Sequence, residues 1–326
     1  MIFFALIIGF VYGYISVKGQ FCMNSGFSNV VRKKDTTKLK SFLLAILIQI
    51  AVVPLFFTLI YLYAPDNSYI DKIQLPPLFL VGNVVGGFLF GIFMYYAGSC
   101  AAGIFYKLGE KKTDTIFAVV GFVSGVYLME KGFLQGIRQA AQSTVLFDQQ
   151  PIWKLTSSVT TVIILVVGIS LISIGLIYVL LRQEDKQPGG AKWGWKKTGL
   201  GIGVLGIVAW VSALLSDLTY GMSIIPGAID LAGLTISWGL LFVLGIPLGA
   251  FWSFRKNTTT HFSIPKPVII SKRLFGGLGL GISASMAAGC TVGHGLTFTS
   301  LLGIGSIVGI VFIFLGSGFV GFLTRK

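Results

Sequence analysis

Gly98-Ser99-Cys100-Ala101-Ala102-Gly103 and Gly289-Cys290-Thr291-Val292-Gly293 each place a lone cysteine, in the spacing Cys-x-x-Gly, at the end of a glycine-rich apolar run. Gly86-Gly87-Phe88-Leu89-Phe90-Gly91 precedes the first and Gly276-Gly277-Leu278-Gly279-Leu280-Gly281 precedes the second. Both runs are long enough to enter a membrane. Two thiols at helix breaks in related positions predict an internal repeat built around a path that handles sulfur.

Composition sets the surroundings of these motifs. Of 326 residues, 54% are hydrophobic and 11% charged, against about 25% charged in a soluble domain. The charges cluster between apolar runs, the pattern of a polytopic membrane protein. Met1-Ile2-Phe3-Phe4-Ala5-Leu6 has no basic region before its apolar stretch and no small-residue cleavage site after it, so the N-terminus reads as a retained first span. The net charge of +14 lies in loops, and the positive-inside rule accounts for it without nucleic acid. Cys22, Cys100 and Cys290 are far apart and form no C-x-x-C pair, which excludes a disulfide framework as the organising principle.

Nine apolar stretches run at 1–31, 39–63, 77–106, 113–130, 157–181, 198–215, 233–252, 274–302 and 304–323. Loops 32–40, 107–112, 182–197, 255–273 and the end 325–326 hold 20 of the 25 Lys and Arg residues. Nine crossings, with the N-terminus outside and the C-terminus cytoplasmic, put all five of these loops on the cytoplasmic side. The two Cys-x-x-Gly breaks then fall in the third and eighth crossings, each third within its half, and the halves run in opposite directions. The expected organisation is a first half over 1–156, a linking transmembrane helix and cytoplasmic loop over 157–197, and a second half over 198–326. Crossings one and six pair more weakly: Phe21-Cys22 follows the first, and Pro226-Gly227 follows the sixth. Four broken elements can therefore converge near the midplane.

Irregular backbone at membrane depth must be buried in protein or line a wet cavity. Gly98-Ser99 and Gly289 are expected to unwind their helices through positive φ, with Ser99 as an N-cap. Short helices are expected to restart over Cys100–Leu108 and Cys290–Leu302. The positive end of each restart favours an anion, and buried neutral thiols would donate weakly to its sulfur or oxygen atoms. Phosphate would call for arginine clusters, and none lies within the spans. Lys107 sits about two turns beyond Cys100. Cys22, Cys100, Cys290, Gly98, Ser99, Gly289, Thr291 and His294 form the candidate conduction site, with no catalytic residue, no metal and no cofactor expected. His294 reads equally as a proton carrier or as a structural polar plug. The pairs Gly9/Gly13, Gly87/Gly91, Gly121/Gly125 and Gly277/Gly281 read as helix-packing faces. Tyr95, Tyr96, Phe21 and Phe105 are either walls of the path or packing.

Ala97–Glu110, Ala287–Leu296 and Phe21-Cys22 resemble the YeeE/YedE family of prokaryotic membrane proteins that take up thiosulfate. With the span pattern the likeness covers nearly the whole chain; Ser99 stands where the family pattern leads one to expect glycine. The resemblance implies an all-helical, hourglass-like fold in the inner membrane, with inverted repeats. It implies thiosulfate passing a constriction lined by Cys22, Cys100 and Cys290, and a small cytoplasmic sulfur-carrier protein of the TusA type as partner. Other sulfur or selenium compounds are alternative cargoes. A membrane thiol oxidoreductase is a rival from another class and would need two thiols able to meet. A soft-metal transporter is a second, opposed by only two histidines and no intramembrane acidic cluster.

Overall fold

The computed structural model describes residues 2–63, 72–154, 158–255 and 265–325. Residues 64–71, the stretch 155–157 that reaches the first residue of the expected fifth crossing, residues 256–264 of the basic loop 255–273, and the terminal residues 1 and 326 lie outside the described part. The helices are α1 (Phe3–Gly19), α2 (Met23–Lys33), α3 (Thr37–Tyr63), α4 (Gly87–Ala97), α5 (Ala101–Gly109), α6 (Thr115–Glu130) and α7 (Gln135–Ser143). They continue as α8 (Val159–Leu181), α9 (Trp195–Leu214), α10 (Ile225–Gly233), α11 (Trp238–Phe254), α12 (Pro267–Met286) and α13 (Ile304–Leu323). β1 (Leu78–Phe79) pairs antiparallel with β2 (Val145–Phe147), a hairpin-like clasp that the apolar pattern did not reveal.

The protein is an all-α polytopic membrane protein. All nine apolar stretches of the sequence carry a helix. Phe3–Lys33, Thr37–Tyr63, Gly82–Gly109, Val159–Leu181, Trp195–Leu214 and Ile304–Leu323 are each long and apolar enough to cross a membrane. The bent pairs α6/α7 (68°) and α10/α11 (99°) raise that number from six to eight. α12 would be the ninth; glycines and the charged Lys272 and Arg273 dilute its apolar character. α8 is apolar all round and mostly exposed, as a helix facing lipid must be.

Backbone contacts through glycine decide which helices meet. A Cβ on Gly9 or Gly13 of α1 would fall on the carbonyls of Phe242 and Ile246 of α11. One on Gly121 or Gly125 of α6 would meet Leu274 and Leu278 of α12, and one on Gly277 or Gly281 would meet Ala118 and Phe122 in return. These are small-residue helix interfaces, as the spacing predicts.

The packing partners repeat when α1–α6 are matched to α9–α13. α1 packs on α11 as α9 packs on α3. α6 packs on α12 as α13 packs on α4, and α2 meets α13 as α10 meets α6. α1 meets α9, and α4 meets α12, across the centre. The left-handed residues fall into the same register: Gln20, Lys34, Gly98 and Lys111, then Asp217, Leu234, Ala288 and Leu302. α8 packs chiefly on α3.

Candidate functional site

Each cysteine sits two residues beyond a left-handed residue that ends a helix: Gln20 before Cys22, Gly98 before Cys100 and Ala288 before Cys290. At two of these breaks the next N–H reaches back five residues, Phe21 to Ser16 (2.9 Å) and Gly289 to Ala284 (3.0 Å). This is the Schellman arrangement, which stops a helix by using up its last carbonyls. Cys22 and Cys100 then take extended backbone and become the residues from which α2 and α5 start. Ile224, in helical backbone and seven residues after the left-handed Asp217, precedes α10, so this fourth break has a longer and different geometry.

Two sequence expectations change here. The left-handed residue of the second break is Ala288 (φ 56°), not Gly289. Gly289 is needed for another reason: a Cβ there would fall 2.5 Å from His294 Nε2. Ser99 does not cap α5; its Oγ lies 3.1 Å from Cys22 Sγ and fills the space left open by Gly103. The restarts also differ in kind. The first is α5 as expected, whereas the second is a π-helical turn over Gly293–Phe298 followed by a 3-10 turn over Thr299–Leu301. π-helical turns of this sort gather at functional sites.

The breaks meet in two pairs. Cys22 and Cys100 face each other, and Ser99 Oγ lies 3.1 Å from Cys22 Sγ. Cys290 lies against the backbone of Ile224, Val292 and Gly293. Tyr12, buried on α1, is close enough to all three thiols for a charge on any of them to act on its hydroxyl. Tyr106 reaches the Cys22–Cys100 pair from α5. The Thr291 hydroxyl is buried with no protein partner, while the Ser16 hydroxyl lies beside that of Tyr12 and the Tyr106 hydroxyl beside the Cys22 thiol. Buried hydroxyls seldom go unpaired, so Thr291 has room for a further partner next to Cys290. Among the described residues the three cysteines are free, and no three His, Cys, Asp or Glu side chains converge to hold a metal.

His294 is fully enclosed. Its Nε2 lies 2.8 Å from the Ala287 carbonyl and its Nδ1 3.0 Å from Ser306 Oγ. The carbonyl can only accept, so Nε2 carries the proton and Nδ1 accepts from Ser306. Nε2 holds the broken end of α12 and Nδ1 ties the ring to α13. Asn83 adds to this support: its Nδ2 donates to Gly305 O (3.0 Å) and reaches Ala287 O (3.4 Å). Gln142 Nε2 donates to Ser285 O (3.0 Å).

The end of α4 is held differently. Asn24 Nδ2 donates to Met94 O (3.0 Å), Arg273 to Tyr96 O (3.2 Å) and Lys107 Nζ to Gly98 O (2.6 Å). Lys107 therefore folds back to the break instead of extending two turns away from it. Tyr95 and Tyr96 do not line the path. Tyr96 is exposed, and Lys272 Nζ lies 4.5 Å from the Tyr95 ring centre. Phe21 and Phe105 are core residues packed edge-on to Tyr12 and Phe122.

A cavity of about 340 Å³ opens beside the Cys290 break, lined by Arg138, Gln142, Tyr220, Ser223, Ser285 and Ala288. Arg138 pairs with Glu130 at 3.5 Å. Arg138 Nε and Ser285 Oγ have no protein partner.

The sequence matches the sulphur transport family over residues 18–319. It is 29% identical over 329 residues to the thiosulfate transporter TsuA of Spirochaeta thermophila, covering 97% of each chain. It is 25% identical over 334 residues to the thiosulfate transporter TsuA of Escherichia coli, covering 97% of this chain and 92% of the relative.

Proposed function

The chain belongs to the sulphur transport family, and from that premise we propose that it carries thiosulfate across the membrane through the constriction at Cys22, Cys100 and Cys290. The observation that carries this reading is the set of three buried free thiols with the hydroxyls of Ser16, Tyr106 and Thr291 around them. Thiosulfate presents soft sulfur at one end and oxygen acceptors at the other. Thiols suit the first and hydroxyls the second. The starts of α2, α5 and α10 at the breaks add aligned N–H groups and a positive dipole end. No permanent charge is required at the narrowest point, so the ion is held weakly enough to leave.

Entry is from the cavity beside Ala288 and Ser285, past Cys290, to the Cys22–Cys100 pair. The direction is inward and the membrane is the cytoplasmic one of a prokaryote. The N-terminus lies outside and the C-terminus inside, which the charge of loops 32–40, 107–112 and 182–197 supports. The residues 1–156 and 198–326 are inverted repeats joined through 157–197, a reading supported by the exchange of packing partners and by the register of left-handed residues. A cytoplasmic sulfur carrier of the TusA type would receive the cargo.

The test is growth of a bacterium stripped of its own sulfur-anion uptake, expressing this chain, with thiosulfate as sole sulfur source. Growth is expected with the wild type and absent with Cys100→Ala or Cys290→Ala, while all grow on cysteine. Full growth of both variants on thiosulfate would overturn the role of the thiols. The approach of Cys22 to Cys100 also meets the first need of a thiol oxidoreductase; a redox cofactor copurifying with the chain would decide for that reading.

A further inference from the structure

The two ends of the cysteine path differ in charge. At the Cys290 end, the broken carbonyls of α12 are capped by the neutral groups His294, Asn83 and Gln142, and the nearby Arg138 is balanced by Glu130. At the Cys22–Cys100 end the neutral Asn24 is joined by cationic caps. Lys107 Nζ donates to Gly98 O at 2.6 Å. Lys38 Nζ, from the first turn of α3, donates to Ser25 Oγ at 2.8 Å, and Ser25 Oγ donates to Cys22 O at 3.2 Å. Arg273 and Lys112 are there too, but each has a carboxylate: Asp114 at 2.8 Å and Glu110 at 3.0 Å. Gln20 Nε2 occupies the other oxygen of Glu110 at 3.1 Å.

Lys38 and Lys107 have no carboxylate within ion-pair distance among the described residues; Asp35 acts on Lys38 only from further away. Both are half-buried, and both are near enough to Cys22 for their charges to act on its thiol. Each ammonium spends one of its three N–H donors in the bonds named above, which leaves spare donors on a partly desolvated, uncompensated charge. Two such charges side by side repel each other unless an anion joins them. The buried Tyr106 hydroxyl lies on the same side, next to Cys22 and near Glu110.

We propose that Lys38 and Lys107 form a second anion-binding position immediately beyond the Cys22–Cys100 pair, taking a divalent oxyanion through its oxygens. The inference rests on the transport reading for its place in the path, and not for its chemistry. An ion held by neutral thiols at Cys290 gains electrostatic attraction as it reaches the lysine pair. The path is therefore downhill in one direction. Lysine suits this better than arginine, because a mobile point charge attracts without a bidentate clamp and so releases more readily.

The test uses purified full-length protein and two readouts. In the first, melting temperature is followed while sulfate or thiosulfate replaces chloride at constant ionic strength. The wild type should be stabilised saturably, the Lys38→Gln/Lys107→Gln variant should lose that response, and Lys38→Arg/Lys107→Arg should keep it. In the second, initial thiosulfate uptake by the glutamine variant should fall about tenfold or more, with the arginine variant retaining most of it. Should the double glutamine variant fail to fold, Lys38→Gln alone carries the comparison, since its Nζ touches only Ser25. An anion response that persists unchanged in the glutamine variant, or a wild type without one, overturns the proposal. A wild type that shows the lysine-dependent anion response yet takes up no thiosulfate would sink the transport reading and leave the anion position standing.

Discussion

The His294 ring lies over Gly289, and its Nε2 donates to the carbonyl of Ala287 at 2.8 Å. A helix that breaks inside a membrane leaves carbonyls without partners, and this ring supplies one of the replacements. Gly289→Ala would push a methyl group to about 2.5 Å from Nε2, so it should lower uptake at least about tenfold and lower the melting temperature. His294→Gln should also destabilise, yet uptake across pH 6 to 8, the range in which a histidine carrier would titrate, should keep the wild-type profile. A flattened or shifted profile in that variant would restore the proton-carrier role. Ala288→Gly relaxes a left-handed alanine and should raise stability by up to about 1 kcal/mol without loss of uptake.

Asn83 is fully buried and ties three segments: Oδ1 accepts from Phe79 N–H at 2.7 Å, and Nδ2 donates to Gly305 O at 3.0 Å. Asn83→Leu keeps the volume and strands the Phe79 N–H, while Gly305 O keeps its helical donor. The expected loss is about 1–3 kcal/mol, the cost of a buried group left unpaired. Thermal unfolding followed in detergent measures it; a change below about 0.5 kcal/mol would mean that water replaces the amide.

Two glycine-to-alanine changes should have opposite signs. Gly125→Ala places its methyl group on the Leu278 carbonyl across the α6/α12 interface, where only a backbone shift makes room, at a cost of about 1–3 kcal/mol. Gly168→Ala on α8 meets nothing within 4 Å and should stabilise by about 0.5–1 kcal/mol through helix propensity. Equal effects from the two would contradict the packing described for α6 and α12.

Asp35, in the turn between α2 and α3, accepts from Thr37 Oγ1 at 2.6 Å and from Thr37 N–H at 2.9 Å. These two bonds, helped by Lys38 and Lys33, hold its carboxyl below the ordinary aspartate range. A depressed carboxyl stabilises the fold above its unfolded value, and that contribution is lost as pH falls through the folded one. Asp35→Asn should therefore melt below the wild type at neutral pH, and the gap should close on acidification. A gap that widens in acid would assign the effect to another group.

The breaks, the cysteines and the glycine faces were legible in the sequence because each has a local signature: a small-residue cluster, a rare nucleophile, a four-residue spacing. Tyr12, Ser16 and Tyr106 were not. They lie on helices buried or lipid-facing on all sides, where no polar stripe marks a functional face. Alanine gives no hint of a left-handed backbone at Ala288, whereas the neighbouring Gly289 suggests one by its type. Distance along the helix separates Lys107 from the break, yet its flexible side chain returns to Gly98. In sequence Lys38 is one more loop charge, since only the folded turn brings it to Ser25 and Cys22.

α1 fills its glycine groove with α11, α6 with α12, α4 with α13, and α9 with α3. Almost every large contact thus joins an early helix to a late one. As the chain leaves the ribosome, Gly9, Gly13, Gly121 and Gly125 enter the bilayer with no helix yet made to cover them. Those faces stay bare until the last helices emerge, although α3 has by then met α8 and α9. Quality control of this protein is therefore a matter of its last helices: a chain truncated before α11 has crossed the membrane several times and still leaves the glycine faces of α1 and α6 uncovered.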